Sequence, residues 1–194
     1  YIRQTGRLGA PILFTNTSSV GAVYDAAVGH MLEAHPALLD RSPRSLPLVG
    51  ETWADFLNDT AGRHLQAKHV REALNSAHSG AVAEGCVGGG TGMRAFDFKA
   101  GIGTASRHIP QLGPGYTVGV LVQANFGRRE QLLVDGVPVG REIPDLLPQE
   151  GTSTESKSLL VGIATTAPLL PIQLKRLCKR AAIGMARTGG ISTH

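Results

Sequence analysis

Apolar and polar residues alternate along the chain in blocks that predict strands and helices in turn. The apolar run at 11–15 predicts a short buried strand, and the polar residues 16–19 follow it as a turn. Residues 20–35 predict a helix, because apolar side chains recur on one face: Val20, Val23, Ala27, Met31 and Ala34. Another apolar run begins at 46–49, and a second helix is expected over 67–77. This alternation indicates an α/β protein.

Glycines, and then strand-like runs, occupy the centre of the chain. Residues 85–93 contain five glycines, which indicates close backbone packing. Period-two alternation over 94–100 and the apolar run 116–122 predict strands, of which the second is the clearest buried strand in the sequence. One more strand is expected over 131–139, with a turn at 135–136.

Residues 141–157 differ in character from everything before them. They are rich in proline, serine and threonine and predict a solvated, mobile linker. The chain then becomes apolar at once, and 158–164 predicts a buried strand. A helix is expected over 171–187, with five residues buried along one side: Leu174, Leu177, Cys178, Ala181 and Met185.

Composition narrows the class of protein. Of 194 residues, 25 are glycine and 18% are charged, and the net charge of +4 is too small to predict a nucleic-acid partner. The most apolar stretch, 159–172, is too short to cross a bilayer, and no signal peptide is visible. We therefore expect no membrane partner and a cytoplasmic location. Cys86 and Cys178 lie far apart in the sequence and predict buried free thiols.

Four common site motifs are missing from the sequence. The glycines at 85–92 lack the lysine of a phosphate-binding loop and the third glycine of a dinucleotide fingerprint. His30 and His35, like His64 and His69, are five residues apart and so lie on different helix faces, and no metal is expected. The Gly-x-Ser-x-Gly motif of α/β-hydrolases does not occur.

Ser158 is the most informative single position, because a hydroxyl residue begins a predicted strand directly after the polar linker. Cleavage of the Lys157–Ser158 bond would give Ser158 a free α-amine beside its own hydroxyl. Such an amine has an ordinary pKa of about 7.7–8.0 and can act as the general base for the hydroxyl. Nucleophile and base would then belong to one residue.

Several blocks of the sequence occur in the order found in one known family. They are TNTSSVG at 15–21, GETW at 50–53, LND at 57–59, VGGGTGM at 87–93, FKAGIGTASR at 98–107, VLVQANFG at 120–127, ATTAPLLP at 164–171, QLKRL at 173–177 and ARTGG at 186–190. Together they resemble the DmpA-type L-aminopeptidase/D-esterase family, which includes the β-peptidyl aminopeptidases. The resemblance extends over nearly the whole chain.

This resemblance implies an N-terminal-nucleophile-like hydrolase with a layered α/β/β/α sandwich, an architecture shared with the ornithine acetyltransferases, here as a partial chain. It implies a precursor that cleaves itself between Lys157 and Ser158. Residues 1–157 would then belong to the α-chain region, with a processing linker at about 141–157, and 158–194 would begin the β chain. No cofactor is implied, and the expected assembly is a homotetramer of αβ units.

The same resemblance implies roles for individual residues. Ser158 matches the nucleophile, and Asn125 matches the amide that stabilises the oxyanion. Trp53, standing where a tyrosine is expected, lines the substrate site, and Gly90 and Gly92 are assigned to substrate binding. The implied substrates are short peptides, amides and esters that lose their N-terminal residue.

Three positions depart from the family pattern. Lys157 stands where glycine is common, Trp53 where tyrosine is expected, and Thr166 where an acid is expected.

Two other functions are alternatives to the self-processing aminopeptidase. One alternative is an acyl transferase like the ornithine acetyltransferases, although their nucleophile is threonine rather than serine. The other is a catalytically silent relative that acts as a binding or structural protein.

Overall fold

The computed structural model describes residues 6–38, 46–54, 56–111, 113–148 and 157–191. Strands run over β1 (Ile12–Asn16), β2 (Leu48–Thr52), β3 (Arg94–Ala95), β4 (Phe98–Lys99), β5 (Ile102–Ile109), β6 (Tyr116–Phe126) and β7 (Lys157–Thr165). The α-helices are α1 (Val20–Ala34), α2 (Ala67–Ser76), α3 (Val139–Glu142), α4 (Pro171–Cys178) and α5 (Arg180–Arg187). Short 3-10 helices lie at Thr17–Ser19, Pro36–Leu38, Gly88–Gly90 and Arg129–Gln131.

An antiparallel sheet in the order β5-β6-β7 forms the middle of the fold. Its central strand, β6, pairs with both neighbours along most of its length. At the C-terminal end of β6, Asn125 lies opposite Ser158 and Phe126 lies opposite Lys157. This register brings the first residues of β7 to the motif that ends β6.

A second β layer, the parallel pair β1 and β2, packs on one face of this sheet. Gly50 of β2 lies so close to β7 that a Cβ at this position would be 2.9 Å from Leu160 Cδ2. Gly162 likewise faces the ring of Phe14 across the layers. Glycine at these positions lets two backbone layers approach closely.

Two helices cover the outer face of the β1-β2 pair. Val23 and Ala27 of α1 and Val70 of α2 form the buried centre of this layer. Leu13 of β1 and Val49 of β2 pack against them. Val23 and Ala27 of the apolar stripe predicted for 20–35 therefore face the strands, whereas Ala34 at the end of the helix is exposed.

The opposite face of the three-stranded sheet is turned toward α4 and α5. A cavity of about 820 Å³ lies between them. Val122 and Ala124 of β6, Val161 of β7 and the helical residues Leu177 and Met185 line it. The layers therefore follow the order helix, strand, strand, helix, which confirms the α/β/β/α architecture implied by the resemblance.

The strand expected over 94–100 is interrupted by a turn. Phe96 and Asp97 both have positive φ, at 51° and 59°, so β3 and β4 form a tight hairpin. Two consecutive positive φ values reverse the chain, which is why the period-two pattern did not produce one strand. The apolar side chain of Phe96 is nevertheless buried, against Phe126.

The strand expected over 131–139 was wrong, although its turn was correct. The chain forms the 3-10 helix Arg129–Gln131, a single bridge between Val134 and Val137, and then α3. Asp135 and Gly136 have φ of 49° and 84°, so the predicted turn closes within four residues. Gln131 belongs to the 3-10 helix and Val139 to α3, so the chain between them has room for only one bridged pair beside this turn.

The helix expected over 171–187 is divided at Lys179, whose ψ of −20° tightens the backbone toward 3-10 geometry. Leu177, Ala181 and Met185 are half-buried above the cavity. Leu174 and Cys178 are exposed rather than buried, because the continuous stripe is broken between the two helices.

Cys86 was also predicted to be buried and is exposed, with its thiol 3.3 Å from the Ala100 carbonyl oxygen. It lies in the glycine-rich segment 85–93, whose buried residues are Gly90, Gly92 and Met93.

Of the predicted linker 141–157, residues 149–156 lie outside the described residues. The first part, up to 148, follows α3 and is held by contacts to the buried Arg129. Lys157 is already part of β7. Residues 143–146 are exposed, as expected of a solvated segment, although the carbonyl oxygens of Ile143 and Asp145 accept hydrogen bonds from the buried Arg129 guanidinium.

Candidate active site

The geometry brings together the two residues to which the sequence assigns the chemistry. Asn125 Nδ2 donates a hydrogen bond to Ser158 Oγ over 3.0 Å. The two residues are direct partners in the β6-β7 ladder, so their side chains leave the sheet on the same face. Asn125 is 1% exposed, whereas Ser158 is half-buried and so remains accessible.

Trp53 joins this pair through its backbone. Its N–H donates to Ser158 Oγ over 3.2 Å, and its carbonyl oxygen accepts a hydrogen bond from Asn125 Nδ2. Residue 53 directly follows β2, so the end of the parallel layer meets the start of β7. The indole side chain is 45% exposed.

The orientation of the Asn125 amide is determined by its partners. The Arg94 backbone N–H donates to Asn125 Oδ1 over 3.1 Å, while the Trp53 carbonyl accepts from Nδ2. A flipped amide would place two donors against each other and two acceptors against each other. The Nδ2 group therefore points at Ser158 Oγ without competing orientations.

A network of buried polar side chains joins the strands beside Asn125. Gln123 is fully buried, and its Nε2 donates to the Thr15 carbonyl oxygen over 3.0 Å and to Thr52 Oγ1 over 2.6 Å. The Thr52 hydroxyl in turn lies 3.0 Å from the Met93 sulfur. These bonds tie β1 and β2 to β6 directly beside Asn125. Sequence analysis missed Gln123, although the period of two in β6 places residues 123 and 125 on one face.

Gly90 and Gly92, assigned to substrate binding, shape the loop that leads to Arg94. A Cβ on Gly90 would lie 2.7 Å from the Ile102 nitrogen, and one on Gly92 would lie 2.6 Å from Asn58 Cβ. Both are buried, and Gly92 has φ of 77°. The predicted close packing of this segment is confirmed, and the role of the two glycines in substrate binding stays a prediction.

Two of the departures from the family pattern lie at opposite ends of β7. The backbone of Lys157 pairs with Phe126, next to the Asn125–Ser158 pair. Thr166 follows the far end of the strand, where its Oγ1 accepts a hydrogen bond from the Thr117 N–H over 2.9 Å. Thr166 therefore closes the end of the β6-β7 ladder, and this bond does not involve Ser158.

Outside this site, a histidine and a carboxylate close in sequence form a pair. His64 Nε2 lies 2.7 Å from Asp59 Oδ2, and this hydrogen bond, with one from the Gly62 N–H, lowers the pKa of Asp59. Within the described ranges, no group of three or more His, Cys, Asp or Glu side chains could hold a metal ion. In the same part of the chain, no helix is long and apolar enough to cross a membrane.

Comparison with known proteins decides the family. The model of peptidase family S58 matches residues 1–194. The chain belongs to peptidase family S58. It is 46% identical to the β-peptidyl aminopeptidase BapA of Sphingosinicella microcystinivorans, over 100% of this chain and 51% of that protein.

Solved structures of family members have the same fold. The L-aminopeptidase D-Ala-esterase/amidase of Ochrobactrum anthropi, described as a prototype of the serine aminopeptidases with a variant Ntn hydrolase fold, superposes with a TM-score of 0.83 at 43% identity. That match covers 91% of this chain and 48% of the other. A β-aminopeptidase of Burkholderia sp. gives a TM-score of 0.80 at 50% identity, covering 92% and 48%. The S58 chain described here thus spans about half the length of these relatives.

Proposed function

We propose that this S58 protein is a self-processing serine aminopeptidase with Ser158 as its nucleophile. The observation that carries the proposal is the 3.0 Å hydrogen bond from Asn125 Nδ2 to Ser158 Oγ, joined by the Trp53 N–H at 3.2 Å. Two N–H donors converge on one accessible hydroxyl. Both donors lie beside the nucleophile, within reach of the carbonyl oxygen of the group that Oγ attacks, where an oxyanion would develop.

In the first reaction, Ser158 Oγ attacks the carbonyl carbon of Lys157. The Lys157–Ser158 C–N bond breaks, its nitrogen gains the proton that Oγ loses and becomes the Ser158 α-amine, and an ester to Oγ remains. Water then hydrolyses this ester and leaves a free carboxylate on Lys157. Residues 1–157 and 158–194 would thereby fall into an α and a β chain.

In the second reaction, the new α-amine removes the proton from the hydroxyl of the same residue. Oγ attacks the substrate carbonyl, the amine or alcohol of the substrate leaves, and an acyl-enzyme forms that water hydrolyses. Asn125 Nδ2 stabilises the oxyanion in both steps. Because its other contacts orient it before substrate arrives, little reorganisation is needed in the transition state.

We propose short peptides, amides and esters as substrates, with cleavage after the N-terminal residue. The named activities of the relatives, β-peptidyl aminopeptidase and L-aminopeptidase D-Ala-esterase/amidase, support this class. Trp53 supports it as well, because its half-exposed indole is anchored by backbone bonds to both Ser158 and Asn125. The indole offers an apolar surface and a single N–H to a substrate side chain.

Processing is tested on the full-length protein by denaturing gel electrophoresis and N-terminal sequencing. We expect two fragments, the second beginning Ser-Leu-Leu-Val, and a single uncut band for Ser158→Ala. Ser106→Ala, at an exposed position of β5, is the matched control and should be cut like the wild type. A wild-type protein that stays in one piece, with no labelling of Ser158 by an acylating probe, would favour the silent binding protein.

A further inference from the structure

A cavity of about 490 Å³ lies where the β3-β4 hairpin, the chain after β6 and helix α3 meet. Four arginines line it, one from the hairpin, two from the chain after β6 and one from α3: Arg94, Arg128, Arg129 and Arg141. Its described lining also includes two carboxylates, Asp97 and Glu130. The lining residues therefore carry an excess of positive charge, which attracts anions.

Arg129 is a fixed part of this wall. It is 4% exposed. Its Nε donates to the Phe96 carbonyl oxygen over 3.1 Å, while Nη1 and Nη2 donate to the carbonyl oxygens of Ile143 and Asp97, each over 2.9 Å. The guanidinium also lies 3.6 Å from the centre of the Phe98 ring. Carbonyl groups are dipoles rather than anions, so these bonds hold the guanidinium in place without neutralising its charge.

Asp97 connects Arg129 to the second buried arginine of the wall. Its Oδ1 lies 3.9 Å from Arg94 Nε, and its Oδ2 accepts a hydrogen bond from the Arg129 backbone N–H over 2.9 Å. Arg94 is 4% exposed, and its guanidinium lies 4.7 Å from the centre of the Phe56 ring. Both buried cations are thus held against the cavity by their neighbours.

Helix α3 brings a further guanidinium to the cavity. Gly140 packs so closely that a Cβ there would lie 1.6 Å from the Arg129 carbonyl oxygen, and its N–H donates to the Leu132 carbonyl oxygen over 3.2 Å. Arg141 follows directly and is exposed. Among the residues that the structure describes, no hydrogen bond or ion pair engages the Arg141 guanidinium. Its planar fork of donors is therefore available to a ligand.

We propose that this cavity is a binding site for a carboxylate. A guanidinium presents parallel N–H donors that match the two oxygens of a carboxylate. Asp97 and Glu130 reduce the positive charge of the wall, which favours a monoanion over a dianion such as phosphate. The buried Arg129 supplies a fixed positive potential, and Arg141 supplies the hydrogen bonds.

The carboxylate can come from two sources. One is a small carboxylic acid in solution, which reaches the cavity past the exposed Arg128 and Arg141. The other is the C-terminal carboxylate of a peptide substrate, and this source rests on the proposed function.

The path of the chain supports the second source. The Arg94 backbone N–H donates to Asn125 Oδ1 over 3.1 Å, while its side chain lines the cavity. Gly127, also in the lining, follows Asn125 by two residues, which is about 7 Å of extended chain. In an extended tripeptide, the carboxylate lies at about the same distance from the first peptide carbonyl.

The test is isothermal titration calorimetry of the full-length protein at low salt with N-acetylglycine, a monoanion, and with its neutral amide. We expect N-acetylglycine to bind and the amide to bind at least tenfold more weakly. Arg141→Met should weaken binding of the acid by about 10- to 100-fold, the usual effect of losing a charge-assisted hydrogen bond. Arg141→Lys should weaken it less. Arg176→Met, which removes an exposed arginine from α4, is the matched control and should bind within twofold of the wild type.

Arg128→Met is a second variant that should weaken binding of the acid, and circular dichroism shows whether each variant is folded. Hydrolysis kinetics distinguish the two sources of carboxylate, by comparing a tripeptide with its C-terminal amide. A KM about tenfold lower for the acid, with the difference lost in Arg141→Met, identifies the substrate carboxylate. Equal KM values, with N-acetylglycine still bound, identify a free carboxylic acid.

The titration requires no catalytic activity. A protein that is never cut and hydrolyses nothing therefore overturns the proposed function and leaves the titration to decide this inference. Absence of binding, equal binding of N-acetylglycine and its amide, or equal binding of the acid by the wild type and both folded arginine variants would overturn the carboxylate site. Tighter binding of inorganic phosphate than of N-acetylglycine would overturn the assignment to a monoanion.

Discussion

Asn125 and Ser158 lie directly opposite each other on β6 and β7, with Asn125 Nδ2 3.0 Å from Ser158 Oγ. A strand pair places two side chains on one face at a fixed separation, without any loop between them. The amide is held from its other side by the backbone of Arg94. The donor and the hydroxyl are therefore positioned by rigid elements, as the proposed catalysis by a preorganised site requires.

Removal of the amide donor should reduce turnover far more than it reduces folding. For Asn125→Ala we expect kcat/KM to fall by about 10²- to 10³-fold, the usual effect of losing one oxyanion donor. The measurement is hydrolysis of an aminoacyl anilide by cleaved protein, with the concentration of Ser158 determined by an acylating probe. Asn75→Ala, at an exposed position of α2, is the matched control and should retain full activity. An Asn125→Ala enzyme within fivefold of the wild type would remove Asn125 from the oxyanion site.

The pH dependence of hydrolysis should report the α-amine of Ser158. The amine accepts a proton from the hydroxyl only when it is neutral, so kcat/KM should rise with pH and level off above its pKa. An unperturbed α-amine titrates at about 7.7–8.0, and the midpoint is expected near this range. Steady-state kinetics between about pH 5.5 and 9.5 measure this midpoint. Below it, the slope of log kcat/KM against pH should correspond to the loss of about one proton. A flat profile down to about pH 5 would point to a carboxylate base instead.

The arrangement of the site could be predicted from the sequence only in part. Ser158 was predicted because a polar linker meets an apolar strand there, and Asn125 because its block resembles a known family. Local patterns do not reveal that the backbone of Trp53 bonds to both, since this depends on β2 packing against β7. Arg129 was missed for the same reason. An arginine after a strand is ordinarily exposed, and only the tertiary fold surrounds it with carbonyl groups.

The fold shows the same division between local and long-range information. Helix 67–77 was predicted correctly within one residue, because its periodicity is a local property. The strand expected over 94–100 failed, because Phe96 and Asp97 adopt positive φ with no glycine to indicate it. Turn conformations of non-glycine residues depend on packing, here of Phe96 on Phe126.

Gln123 should stabilise the layered fold more than any exposed glutamine does. In Gln123→Met, the Thr15 carbonyl and the Thr52 hydroxyl lose their buried donor, which should reduce the free energy of unfolding by about 1–3 kcal/mol. Urea unfolding in the Ser158→Ala background, which excludes cleavage, measures it. Gln111→Met, at an exposed position, should change the free energy by less than about 0.5 kcal/mol. Equal effects of the two substitutions would show that the buried bonds contribute nothing net.

Two glycines of one short segment should differ sharply in their tolerance of a methyl group. A Cβ on Gly101 would overlap the Gly85 carbonyl oxygen, and its φ is 150°, whereas nothing lies within 4 Å of a Cβ on Gly103. Backbone strain and overpacking each cost about 1–3 kcal/mol, so Gly101→Ala should lose about 2–5 kcal/mol. Gly103→Ala should stay near the wild type. Thermal unfolding of both variants in the Ser158→Ala background provides the comparison, and equal transition midpoints would contradict the close packing.

Glu84 should make the free energy of unfolding depend on pH. Its Oε1 accepts hydrogen bonds from the Thr104 hydroxyl and the Thr104 N–H, over 2.5 and 2.7 Å, and these bonds lower its pKa from the ordinary 4.5. A lowered pKa means that the folded state favours the carboxylate, so the stabilisation is fully present well above pH 4.5. It is lost as the pH falls below 4.5 and through the lower folded-state pKa.

The measurement compares Glu84→Gln with the unsubstituted chain, both in the Ser158→Ala background, by urea unfolding at intervals from pH 7 to pH 3. The variant should be less stable at pH 7, and the difference should shrink below pH 4.5. Glu72→Gln, on the exposed side of α2, is the matched control. It should leave the difference between pH 7 and pH 3 unchanged, because Glu84 is the one of these two carboxylates that accepts the paired hydrogen bonds from Thr104. A Glu84→Gln chain whose stability follows the unsubstituted chain at every pH would show that these bonds do not favour the charged carboxylate.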